Sequence, residues 1–176
     1  MPFRYRLLLL VSLVVLTLDQ ATKYYIDSHF ALYESVTVLP NFFHISYVRN
    51  QGAAFGLLAN HAFRVPFFIS VAVIAAIGIL WYLHRLGDGP KRHILALSLI
   101  FSGAVGNLID RIRLGEVIDF IVVHWYQYHW PAFNVADSSI CIGVGLLLLD
   151  LWQQEKARKN APYASGALTG RMNLHF

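Results

Sequence analysis

ILALSLIFSGAVGNLIDRI, from Ile94 to Ile112, is almost wholly apolar until it closes on Asn107, Asp110 and Arg111. Its length matches the roughly 20 residues of helix that cross an apolar layer of about 30 Å. Three further stretches have the same character: about Leu7 to Ile26, Phe63 to Leu83, and Val135 to Trp152. With 57% hydrophobic and 14% charged residues in 176, the chain is more apolar than a soluble domain needs to be. The expected fold is therefore an all-α membrane core of four transmembrane helices.

Arg4 and Arg6 precede the first apolar run, as they would in a cleaved signal peptide. No small-residue cleavage site follows, and Asp19, Gln20, Thr22 and Lys23 make a poor exit, so the segment reads as a retained helix. Cys141 is the single cysteine, which leaves no disulfide framework and no cysteine-based zinc site. Nine basic residues, Arg4, Arg6, Arg85, Lys91, Arg92, Lys156, Arg158, Lys159 and Arg171, fall on one side of the four spans. Both termini are expected in the cytoplasm, since basic loops stay there. The net charge of +4 thus reads as a topology signal, and no aromatic-basic motif points to nucleic acid.

The link His84 to His93 contains GDGP and is short, so spans two and three should be antiparallel neighbours. The outer segments, about Asp27 to Ala62 and Arg113 to Asn134, hold most of the unusual polar residues. SVTVLPNFFHISYV, with Phe43, Ile45 and Tyr47 alternating with His44 and Ser46, reads as one or two strands broken at Pro40-Asn41. GEVIDFIVV reads as another, giving a small extracytoplasmic β-sheet. After it Trp125, Tyr126, Tyr128 and Trp130 form an aromatic group suited to the headgroup level. One integral membrane domain is expected over 1–155, with 156–176 a mobile cytoplasmic tail.

An ion within or beside a span costs roughly 2.5 to 3.5 kcal/mol at a helix centre, so each needs an explanation. Five of the ten acids stand at such places: Asp19, Asp110, Asp119, Asp137 and Asp150. Asp150 lies at the cytoplasmic end near Lys156 and reads as a solvated end residue. The other four gather at the outer side. Asp19 and Lys23, four apart, can pair on one helix face. Asn107, Asp110 and Arg111 share a face of span three, where Gly103 and Gly106 admit a close neighbour; both sets can equally be interhelical glue. Asp119 lies in a strand-like apolar run, and Asp137 follows Phe133-Asn134-Val135-Ala136. Two carboxylates brought close in a poorly hydrated site share a proton. One can then activate water while the protonated partner hydrogen-bonds a scissile carbonyl. Buried acids also serve as proton relays and ion sites, so spacing alone leaves the choice open.

Competing hydrolytic chemistry is weaker. The eight histidines, His29, His44, His61, His84, His93, His124, His129 and His175, show no zinc-ligand spacing, and H-E-x-x-H is absent. Ser138 and Ser139 lack a G-x-S-x-G elbow or a lysine partner. The reading requires no metal and no cofactor.

DQATK at Asp19 to Lys23, RNQGAAFG at Arg49 to Gly56, GNLIDR at Gly106 to Arg111, VIDF at Val117 to Phe120 and FNVADSSI at Phe133 to Ile140 occur in that order. Together they resemble the bacterial lipoprotein signal peptidases, the signal peptidase II family of membrane aspartyl proteases, over nearly the whole chain. The resemblance implies four membrane helices with a periplasmic β-cradle in the bacterial inner membrane. It implies cleavage of a diacylglyceryl-modified prolipoprotein before its lipidated cysteine, with Asp119 and Asp137 as the catalytic pair. Asn50, Gly52, Asn107, Asp110, Arg111 and Asn134 would shape the site or contact substrate, and Asp19 and Lys23 would support it. Expected partners are prolipoproteins and membrane lipids, with the protein acting as a monomer. A groove along the span-three glycines, lidded by the aromatic group, would receive the substrate. The rival class is a small ion-coupled transporter using Asp19, Asp110 and Arg111; a third possibility is a subunit whose polar residues only join helices.

Overall fold

The computed structural model describes residues 1–52 and 63–160. In chain order the elements are α1 (Phe3–His29), β1 (Ser35–Leu39), β2 (Phe43–Asn50), α2 (Arg64–Leu86), α3 (Lys91–Leu114), β3 (Val117–Trp125), β4 (Tyr128–His129) and α4 (Val135–Asn160). Among the described residues, these four helices are long and apolar enough to cross a membrane. Each outruns the apolar stretch that announces it, because helical hydrogen bonding continues into polar ends that need no lipid. At the C-terminal end Glu155 pairs with Arg158 at 3.0 Å and Lys159 at 3.4 Å, one turn on. The stretch expected as a mobile tail from Lys156 therefore begins as helix; 161–176 lie outside the described residues.

The third helix is the centre of the bundle. Half of the α3 span is buried, against 6% for α2, and α3 packs on each of the other three helices. The expected antiparallel contact of α2 with α3 is present, while Ile74, Ile77 and Trp81 of α2 face outward as lipid-facing residues should. Close approach of α3 to α4 depends on glycine. A Cβ on Gly103 would collide with the Ala136 carbonyl, and one on Gly106 would stand 2.7 Å from Asp19 Oδ2. These glycines are consumed by helix packing and do not line a groove, which corrects the expectation from the sequence.

The sheet is antiparallel in the order β1-β2-β3-β4 and sits at one end of the bundle. Pro40 and Asn41 do separate β1 from β2, Asn41 taking a left-handed backbone with φ 60°. Gly115, φ 73°, caps α3 by donating its N–H to the Arg111 carbonyl at 3.1 Å and turns the chain directly into β3. Ile26, Tyr47, Ile118 and Phe120 form the apolar contact between α1 and the sheet. Leu8, Leu83, Ile94 and Leu97 close the opposite end.

Candidate active site

The deepest part of the site is an ion cluster around Lys23, a residue only 2% exposed. Its ammonium has three protons and three acceptors: Asp19 Oδ2 at 2.9 Å, Asp110 Oδ2 at 2.8 Å and Asn107 Oδ1 at 3.0 Å. The carboxylates spend their remaining capacity on neighbouring backbone. Asp19 Oδ1 accepts the Ala136 N–H at 2.9 Å in the first turn of α4, and Asp110 accepts the Ile118 N–H at 3.2 Å in β3. The cluster thereby joins α1, α3, β3 and α4 at one point. Gln20, to which the sequence assigned no role, donates to Asp19 and Asp110, both at 3.1 Å.

Asn107 carries this order to the surface of the cavity. With its carbonyl facing Lys23, its amide nitrogen faces Asp137 Oδ1 at 2.7 Å. The charge of Lys23 fixes which way the amide points.

Asn134 and Asp137 form a reciprocal cap at the start of α4. The Asp137 N–H donates to Asn134 Oδ1 at 2.9 Å, and the Asn134 N–H donates to Asp137 Oδ2 at 3.3 Å. The signal was legible as Asn-x-x-Asp ahead of an apolar run. Bridging hydrogen bonds between Phe133 and Ile121 lay the preceding segment along β3. Asn134 Nδ2 thus reaches Asp119 Oδ1 at 2.7 Å, while Asn50 Nδ2 reaches Asp119 Oδ2 at 2.9 Å. Gly52 connects the far side, its N–H donating to Asn50 Oδ1 at 3.0 Å and its carbonyl accepting from Arg111 at 3.4 Å. All ten residues singled out from the sequence therefore belong to one connected network. Asp150 lies outside it, paired with Arg92 and His93 at the other end. Residues 53–56 of the RNQGAAFG motif lie outside the described residues.

Asp119 is 1% exposed. Burial, reinforced by the neighbouring Asp137 carboxylate, pushes its carboxyl up to about 7 against the opposing hydrogen bonds of Asn50 and Asn134. Asp137 likewise accepts two hydrogen bonds, and in addition it lies in the first turn of α4, whose positive end favours a negative charge. Both aspartates line a cavity of about 660 Å³. Its remaining wall is chiefly apolar, including Phe68 and Ala72 of α2, Ala104 of α3, and Ile140 and Cys141 of α4. Arg111 lies over the Phe68 ring at 4.9 Å. Of the aromatic group, Trp130 lines this cavity, whereas Trp125, Tyr126 and Tyr128 are exposed and are not among its lining residues. A protonated carboxyl and an ionised one facing the same apolar cleft can activate water toward an amide held between them.

Comparison with known proteins gives a concordant picture. A profile of signal peptidase (SPase) II matches residues 11–153. The lipoprotein signal peptidase of Syntrophotalea carbinolica is 53% identical over 150 residues, 85% of this chain and 93% of that protein. That of Geobacter sulfurreducens is 54% identical over 158 residues, 90% of this chain and 98% of its own. Among solved structures, a bacterial membrane enzyme determined by the in meso method superposes with a TM-score of 0.79 at 36% identity, covering 87% of this chain and 92% of the other.

Proposed function

We propose that this chain, which belongs to the signal peptidase II family, removes the signal peptide of diacylglyceryl-modified prolipoproteins by cleaving before the lipid-bearing cysteine, with Asp119 and Asp137 as the hydrolytic pair. The observation that carries this reading is the shared placement of the two carboxylates on an apolar cavity, with Asp119 held protonated up to about pH 7. Asp137, ionised, takes a proton from a water molecule as the water oxygen attacks the scissile carbonyl carbon. Asp119 donates its proton to the carbonyl oxygen, which yields a neutral gem-diol. In collapse the diol returns a proton to Asp119, the leaving nitrogen takes one from Asp137, and the C–N bond breaks. The pair ends in its starting state, so no covalent intermediate, metal or cofactor is required.

The apolar wall suits a substrate that arrives sideways in the bilayer, its signal helix and acyl chains beside Phe68, Ala72 and Ile140. The protein would sit as a multi-pass component of the bacterial inner membrane with both termini in the cytoplasm and the sheet and the pair at the outer side. The protein would act as a monomer. The carrier reading fares worse. Asp19 and Asp110 are closed on Lys23 at one level of the bundle and form no line of sites across it.

The test is mass spectrometry of products from purified protein and a synthetic prolipoprotein, with and without the diacylglyceryl group. The expected products are a free signal peptide and a chain beginning at the lipidated cysteine, formed only from the lipidated substrate. Cleavage at another bond, or equal cleavage of the unlipidated chain, would refute the proposal.

A further inference from the structure

On the sheet, away from the cavity, two histidines 80 positions apart in sequence are brought together. His44 lies opposite Val122 in the β2–β3 register, so His124, two residues further along β3, is its diagonal neighbour on the same face. The His124 N–H also donates to the Phe42 carbonyl at 2.9 Å, which fixes the strands at this level. The rings stack with centroids 4.7 Å apart, and their Nε2 atoms converge to 2.6 Å. Each Nδ1 faces an oxygen: Thr37 Oγ1 at 3.1 Å from His44, and the Tyr126 carbonyl at 3.4 Å from His124.

We propose that His44 and His124 form a binding site for one divalent zinc-type cation, a structural clasp on the sheet that takes no part in hydrolysis. A carbonyl only accepts, so the Tyr126 contact places the His124 proton on Nδ1 and leaves a lone pair on Nε2. Histidines that ligate metals show this same pattern, the distal nitrogen donating to an oxygen that sets tautomer and ring orientation. Thr37 supplies the equivalent for His44, because its hydroxyl rotates to accept from Nδ1–H. Without metal, neutral His44 carries its proton on Nε2 and donates it to His124 Nε2, its Nδ1 accepting from the Thr37 hydroxyl; on metal binding that proton moves to Nδ1 and the hydroxyl turns to accept it. Zinc takes imidazole nitrogens at about 2.0 to 2.1 Å, and a tetrahedral angle then sets them roughly 3.3 Å apart. The rings need open by only about 0.7 Å from where they stand.

No cluster of three or more histidine, cysteine or acidic side chains is present among the described residues. Among the described residues, His44 and His124 are the protein nitrogens offered to the cation, and water can complete its shell. Imidazole ligands select the zinc, nickel and copper class over magnesium or calcium. Thr37, His44 and His124 belong to β1, β2 and β3, so the clasp ties three strands to the β3–β4 turn. There Tyr126 holds a left-handed backbone, φ 52°, beside exposed Trp125. Linear spacing had no means of revealing a site assembled across strands.

The test is calorimetric titration of chelator-treated, tag-free, full-length protein in detergent with zinc chloride, with a thermal melt at each concentration. One zinc per chain and a melting temperature that climbs with zinc are expected, both lost in His44→Gln and His124→Gln and retained in His84→Gln. Thr37→Val is expected to weaken binding by about 10- to 100-fold. No saturable binding in the wild type, or binding that survives in both histidine variants, would overturn the site. Copper supplies a reading free of any folding defect: electron paramagnetic resonance of wild type loaded with one Cu²⁺ should show two imidazole nitrogens, and one or none overturns the proposal.

Discussion

Asn134 touches both aspartates, its amide nitrogen on Asp119 and its carbonyl on the Asp137 backbone, so the spacing of the pair depends on a residue that does no chemistry itself. Replacing it by alanine removes a helix cap worth about 1 kcal/mol. The same change takes one of two amide donors from Asp119 and loosens the turn that carries Asp137, and misplacement on that scale is expected to lower turnover by about 100-fold. A melt and a turnover assay on Asn134→Ala separate the two effects. Burial raises the Asp119 carboxyl to about 7, and the proposed mechanism uses its proton. Turnover should therefore fall as pH rises through about 7, when a second carboxylate ionises beside the first. A pH–rate profile that stays flat from 6 to 9 would contradict this. Lys23 is the third case. Lys23→Met leaves Asp19 and Asp110 buried without their cation, a loss expected to cost about 3 to 5 kcal/mol. Thermal unfolding in detergent measures it. The sequence showed an Asp-Lys pair four apart, Asn107 on one face with Asp110 and Arg111, and the Asn-x-x-Asp cap, but not the contacts that join them. That Lys23 orients Asn107, and through it Asp137, follows from a contact between helices 84 positions apart.

At the scale of elements, the α3–α4 contact carries the site. Gly103 faces the Ala136 carbonyl, one residue before Asp137, so a side chain there must push the start of α4 away. Gly103→Val is expected to destabilise by about 1 to 3 kcal/mol and to cut turnover with it. Gly145 of α4 has open space around it, and Gly145→Ala should change neither. Parallel melts and cleavage assays on the two variants make the comparison. Both spans were legible from hydropathy, and so was the role of Gly103 and Gly106 as contact residues. What hydropathy does not record is which helix fills the space they leave. The sheet was legible in part: the break at Pro40-Asn41 and the strand at Val117 follow from composition. The bulge between Ile45 and Val48, which brings Asp119 opposite Val48, depends on tertiary packing.

Across the whole molecule, the apolar surface of the helices and the polar network at one end divide the labour between lipid and chemistry. The five motifs lie far apart in sequence, yet the described parts of each meet where the C-terminal ends of α1 and α3 adjoin the start of α4. Motif order and span count make this convergence readable in the sequence, since four antiparallel spans return alternate loops to one side. The ten network residues were legible as types; their wiring was not, because hydrogen-bond partners depend on helix rotation. The basic residues at the opposite end predict that a reporter active only in the cytoplasm will work at both termini. Activity from a reporter that requires export would reverse the orientation. In the proposed mechanism Asp119 and Asp137 together hydrolyse the peptide bond. Its most direct test is gel-resolved cleavage of a diacylglyceryl prolipoprotein by wild type and by Asp119→Asn and Asp137→Asn variants verified as folded. Full cleavage by the wild type and none by either variant is expected; substantial cleavage by either variant would mean that the two aspartates are not the hydrolytic pair.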